Sequence, residues 1–105
     1  MVKVLKKKIQ IHYWYIGEYE TGGDKCLIAH GIVTGHSKLT DAMRIHTSPV
    51  RRTCVDEAAG ELIVTTQNNV YHCLLQYCCF EKQDEYPDVI PDYERIKEKY
   101  AGKID

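Results

Sequence analysis

No segment of this chain approaches the ~18 consecutive apolar residues of a membrane-spanning helix. The opening M-V-K-V-L-K-K-K has no apolar run of the length a secretion signal uses. Both absences favour the cytoplasm and exclude a membrane partner. Charge of one sign is also missing: the net is −1 over 105 residues, so no global field draws the chain to DNA. Methionine is scarce, at two residues, whereas there are eight tyrosines, a balance that points to a β-rich chain with amphipathic surfaces. The cysteines (Cys26, Cys54, Cys73, Cys78, Cys79) are odd in number, so at least one stays unpaired. Without a secretion signal all five are expected to be reduced, mostly buried and dispensable for activity.

Catalytic and metal motifs are absent as well. There is no Walker pattern and no G-x-G-x-x-G. Structural zinc needs four convergent ligands, but His30-x5-His36 joins a strand to a loop, and Cys73-x4-Cys78 is long for a knuckle. Cys73 follows His72, yet adjacent strand residues point apart. Cys54 follows two arginines with no base in view, so buried structural cysteine is the reading for all five. The carboxylates gather in turns and in the tail, where solvated surface accounts for them. The expectation is a protein without enzymatic activity, cofactor or metal.

The length fits one domain, residues 1–105. A chain of this size buries only ~60–70% of its unfolded surface, and homo-oligomerisation, most simply a dimer, would widen its margin. Charge is unevenly spread. Residues 1–16 carry Lys3, Lys6, Lys7 and Lys8 and no acid. Residues 81–105 carry eight acids against five bases, which suits docking of the tail or head-to-tail association as well as an anionic ligand suits the basic end.

Period-two alternation from Ile9 to Tyr15 predicts a strand within Val2–Tyr19, whole or broken near Lys6–Lys8. Trp14 falls on the face opposite Tyr13 and Tyr15; it is either a packing residue or a platform for a base. Glu18–Lys25 reads as a turn around Gly22-Gly23, and Cys26–Thr34 as a second strand in which Gly31 marks a bulge or a close backbone approach. Further strands are expected at Arg44–Thr47, Val50–Val55, Leu62–Thr66 and Val70–Leu75, the last two joined by Gln67-Asn68-Asn69, where asparagine suits a left-handed turn. Gln76–Gln83 carries no clear period. Pro91 suits a helix start, and Tyr93, Ile96 and Tyr100 share one face of a C-terminal helix over about 91–101. The fold class is therefore mainly β: a small antiparallel sheet or partly open barrel of five to six strands with a C-terminal α-helix.

His30–Arg52 concentrates three of the five histidines and three of the four arginines. Within residues 34–53, Lys38, Arg44, Arg51 and Arg52 against Asp41 leave a net of +3. His36 and Lys38 follow Gly35, and His46-Thr47-Ser48 precede a turn at Pro49. Hydroxyls, cations and backbone N–H groups in one short span suit a phosphate. Arg51 and Arg52 alternate on a strand, so one of them can join the hydroxyls across the bend. The candidate ligand residues are His36, Lys38, Arg44, His46, Thr47, Ser48, Arg51 and Arg52, with Trp14 for a base. An ordinary polar loop with a Ser-Pro turn is the competing reading.

Thr34-Gly35-His36, Leu39, Asp41 and Ile45-His46-Thr47-Ser48-Pro49-Val50, followed by the hairpin Leu62–Tyr71, resemble a pattern in short proteins of phages and mobile elements of gut Firmicutes. The resemblance covers roughly residues 29–73. It implies an anti-defence protein in the cytoplasm of a host cell, similar to the anti-Thoeris and anti-CBASS sponges: β-rich oligomers that sequester phosphate-bearing nucleotide signals, cyclic oligonucleotides among them. The alternatives are a protein–protein inhibitor of a host immune effector or nuclease, in the manner of an anti-CRISPR, and a small nucleic-acid-binding β-barrel using the basic first strand, which the near-zero net charge weakens.

Overall fold

The structure, a computed structural model, describes residues 8–36 and 38–102. Its six strands are β1 (Gln10–Thr21), β2 (Asp24–Thr34), β3 (Met43–His46), β4 (Val50–Asp56), β5 (Glu61–Thr66) and β6 (Val70–Leu74), followed by the short helix α1 (Phe80–Gln83) and the C-terminal helix α2 (Tyr93–Tyr100). The expected break near Lys6–Lys8 falls largely outside the described residues. The strand order is β3-β2-β1-β6-β5-β4. All neighbours are antiparallel except β1 and β6, which pair in parallel at Gln10–His72 and Ile11–Cys73.

The two edge strands, β3 and β4, are consecutive in the chain. Laid flat, five strand spacings would separate them by roughly 24 Å. The Thr47–Pro49 link can bridge only about 14 Å from His46 to Val50. The sheet therefore rolls up, and its edges approach without forming a ladder. Ile11, Trp14, Ile16, Ala29, Leu62, Val64, Tyr71 and Cys73 fill the inside of the roll. Burying those side chains at about 25 cal/mol per Å² is what holds the curl.

β1 and β2 form a hairpin longer than the sequence suggests. The strands run to Thr21 and from Asp24, so the turn is Gly22-Gly23 alone, both at positive φ. Along β1 the register shifts between His12 and Tyr15, placing Tyr13 and Trp14 opposite Gly31. Tyr13 takes a positive φ of 52° in this bulge, which turns Trp14 into the core and leaves Tyr13 outside. Gly31 lies so close that a Cβ there would strike the Ile11 side chain and sit 3.0 Å from His12 O and Trp14 Cβ. The bulge and the close approach both centre on Gly31, with the extra residue on its partner strand. Gly31→Ala is expected to cost about 1–3 kcal/mol through overpacking against neighbours that cannot withdraw, measured as a lower urea midpoint at unchanged slope. A midpoint equal to the parent's would mean that β1 and β2 can separate here.

Residues 75–83 supply what β6 leaves undone. After Ile11, β1 loses its parallel partner. Cys78 bridges to Trp14, the Cys79 N–H donates to Trp14 O at 2.7 Å, and the Gln83 amide meets Ile16. Helix α2 begins at Tyr93 rather than at Pro91, because Asp92 sits in the left-handed region at φ 53°. Tyr93 and Ile96 are buried and close the roll together with Ile90. The expected apolar face therefore docks on the chain's own body.

A donor-lined cleft beside the β5–β6 turn

Gly35 turns the chain out of β2 at φ 81°, and a Cβ there would strike the Lys8 carbonyl. Its N–H donates to Asp41 Oδ1 at 2.9 Å, and the Ala42 N–H returns to Val33 O at 2.7 Å. This loop carries His36 and Lys38. The Lys38 N–H donates to His36 Nδ1 at 3.0 Å, so in the neutral imidazole the proton sits on Nε2.

Opposite stands the β5–β6 turn. None of its asparagines adopts the left-handed conformation. The turn is instead built around Thr66: its N–H donates to Asn69 O at 2.9 Å, and its hydroxyl accepts the N–H groups of Asn68 and Asn69 at 3.3 and 3.2 Å. Both asparagine side chains are thereby free to reach outward. Asn68 Nδ2 donates to Ser48 Oγ at 2.9 Å, tying the turn to the β3–β4 link. Asn69 Nδ2 donates to Tyr71 Oη at 3.3 Å and lies 3.5 Å from His36 Nε2.

Between these pieces lies a cleft of about 580 Å³, within the size range of small-ligand sites. His36, Lys38, His46, Asn68, Asn69 and Tyr71 supply its polar walls, and none of the described residues lining it is acidic. Burial pushes the Tyr71 phenol up, so its hydroxyl keeps the proton. In this arrangement a second Asn69 N–H faces an imidazole edge that also donates. An acceptor oxygen placed between the two would satisfy both; without one, an amide turned through 180° would do so instead.

The remaining sequence candidates fall elsewhere. Thr47 lines the cleft but is buried, and its hydroxyl accepts the Ala29 N–H at 3.1 Å and donates to Ser48 O at 2.8 Å. It extends the β2–β3 pairing past His46. Arg51 and Arg52 do not line the cleft. A register shift between Val50 and Arg52 breaks the alternation expected of them, and both are exposed on β4. Arg44 is exposed on β3, on the sheet's outer face. Trp14 cannot stack on a ligand: it is 0% exposed, and its Nε1–H donates to Leu74 O at 2.7 Å. Cys54, expected in the core, is exposed, whereas Cys73 and Cys78 are buried, and burial pushes both thiols up.

A second cleft, of about 640 Å³, lies beside the same turn and is lined by Lys8, Thr65, Thr66 and His72. Here the buried Glu61 carboxylate receives Lys8 Nζ at 2.8 Å and His72 Nδ1 at 3.0 Å. Its cation is already matched, so it offers an anion less than the smaller cleft does. Among the described residues, no group of three or more His, Cys, Asp or Glu side chains is placed to hold a metal ion, and no helix is long and apolar enough to cross a membrane. No protein-family model, no curated protein and no solved structure matches the chain.

Proposed function

We propose that this protein is a non-enzymatic binder of a phosphate-bearing nucleotide, held in the cleft between the His36–Lys38 loop and the β5–β6 turn. The observation that carries the reading is the wall chemistry: N–H and O–H donors from separate segments converge on a nucleotide-sized space lined by no described carboxylate. Fixed donors around a partly dehydrated phosphate act as charge-assisted hydrogen bonds, roughly twice as strong as neutral ones. Lys38 supplies the charge. His36, Asn69 and Tyr71 supply direction. Sequestration of a signal, and with it an anti-defence role in a host cell, rests on the resemblance at residues 29–73.

A thermal-shift screen with AMP, ADP and cyclic dinucleotides tests the reading, since a ligand at 100 times its Kd adds ~2.7 kcal/mol of stability. Loss of one charged contact costs about 2–3 kcal/mol, a factor of ~30–150 in affinity. Lys38→Ala is expected to show that loss, and Asn69→Ala about a tenth of it on the logarithmic scale or more. Arg51→Ala and Arg52→Ala are expected to bind within about twofold of the parent, as exposed charges outside the contact do. Weakening by the arginine variants with none at Lys38 would move the site to β4.

A further inference from the structure

The outer face of the β1–β2–β3 corner carries rings where a sheet surface usually carries mixed polar residues. Tyr15 pairs across the strands with His30, and His30 with His46. The Tyr15 and His30 rings are stacked, with centroids 4.7 Å apart and planes at 14°. Tyr19 lies nearly parallel to His46, at 6.4 Å and 13°. Lys82 Nζ sits 5.2 Å from the Tyr15 centroid, and Arg44 lies two residues from His46 along β3, on the same face by alternation. Glu18 and Glu20 alternate to the opposite face. His46 both ends this row and lines the donor cleft.

We propose that the ligand of this protein is a short single-stranded nucleic acid, with one phosphate in the cleft and the adjoining bases stacked on the Tyr15–His30–His46–Tyr19 row. This rests on the cleft being a phosphate site. Three features favour nucleic acid over a protein partner. Base stacking on exposed sheet aromatics is the usual way a β surface reads a single strand, because every base has a π-face. Tyr19 is 50% exposed, so one ring face is open. The row carries no carboxylate, and its flanking charges, Lys82 and Arg44, are both cations, complementary to a phosphate backbone. Burial, then the charges of His46 and Lys82, push the His30 imidazole down, so the ring under Tyr15 stays neutral and stacks without a charge of its own. The span from β1 to β3 is two strand spacings, roughly 10 Å, which suits two or three bases rather than a duplex.

The test uses fluorescein-labelled hexamers, oligouridylate and oligodeoxythymidylate, followed by anisotropy, beside the matching mononucleotides. The parent is expected to bind a hexamer at least tenfold more tightly than the mononucleotide. Tyr19→Ala, at a half-exposed position that does not endanger folding, is expected to weaken the hexamer about tenfold, within the range seen for one stacked base. Lys82→Ala is expected to weaken it less and to flatten the salt dependence. Hexamers bound no better than mononucleotides, with Tyr19→Ala silent and Lys38→Ala weakening both, would overturn the nucleic-acid assignment and leave the cleft standing. Hexamer binding that depends on Tyr19 but not on Lys38 would overturn the phosphate cleft. No binding of either probe by the folded parent would overturn both and favour a protein partner for this face.

Discussion

Gln83→Ala is expected to lower the melting temperature by about 15 °C, the largest effect of any single truncation outside the apolar core. Gln83 is wholly buried. Its Oε1 accepts the Ile16 N–H at 2.7 Å, and its Nε2 donates to Ile16 O at 3.0 Å and to Tyr86 O at 3.0 Å. The amide thus makes the pair of ladder bonds that a neighbouring strand would otherwise make. Truncation leaves an N–H and a carbonyl of β1 in a dry interior with no partner. Each such group costs about 1–3 kcal/mol, so roughly 3–4 kcal/mol is lost, and a domain near this size shifts by about 4–8 °C per kcal/mol. Gln83→Glu keeps the shape but sets a carboxylate against two carbonyls, and it is expected to be at least as damaging. Calorimetric or circular-dichroism melting checks both. A shift under about 3 °C for Gln83→Ala would mean that water or a rearranged 78–83 segment completes β1 instead.

Trp14→Ala is expected to cost about 3–5 kcal/mol, against a total of about 5–15 kcal/mol for a typical domain, measured by urea unfolding. The indole fills the centre of the roll, and its N–H satisfies Leu74 O across 60 residues of sequence. Trp14→Phe retains most of the packing but abandons that carbonyl, and it is expected to cost about 1–3 kcal/mol. As the chain's single tryptophan, Trp14 also reports on itself: blue-shifted emission and weak acrylamide quenching are expected, unchanged by nucleotide. Strong quenching in the folded protein would place the ring at the surface and reopen its role as a stacking platform.

The strands were legible because a half-buried strand repeats every two residues, and β1, β2, β5 and β6 keep that period over most of their length. Met43–His46 and Val50–Asp56 were found from the β-branched residues around Pro49. What alternation cannot show is where it breaks. The register shift beside Arg51 turned two adjacent arginines away from the bend that their spacing suggested. The bulge at Tyr13 and Trp14 was legible only through Gly31 on the other strand. Residues 76–83 gave no period because they form neither a strand nor a long helix; they offer a backbone stretch and one amide to the flank of β1, a role written in no repeating pattern. At the cleft, His36, Lys38, His46 and Ser48 stood out by composition. Asn68, Asn69 and Tyr71 did not. Asparagine in a hairpin turn is accounted for by backbone preference alone, and its side-chain use here depends on Ser48 and His36, which are 20 and 33 residues away.

The flank of β1 met by residues 72–83 sets an order in time. β1 lies in the middle of the sheet, yet it is among the first segments to leave the ribosome. Its partner on one side, β2, follows at once through a two-residue turn. On the other side the groups of Ile9, Ile11, Trp14 and Ile16 wait for His72, Cys73, Cys79 and Gln83. Until about four-fifths of the chain has been made, the β1–β2 hairpin must exist with one side of its inner strand open and with Trp14 uncovered by Leu74. Such a side recruits any extended chain. The nascent protein is therefore most exposed to mispairing before synthesis reaches Gln83, and closure of the roll depends on contacts that are distant in sequence, which makes it a slow step for a chain of this length.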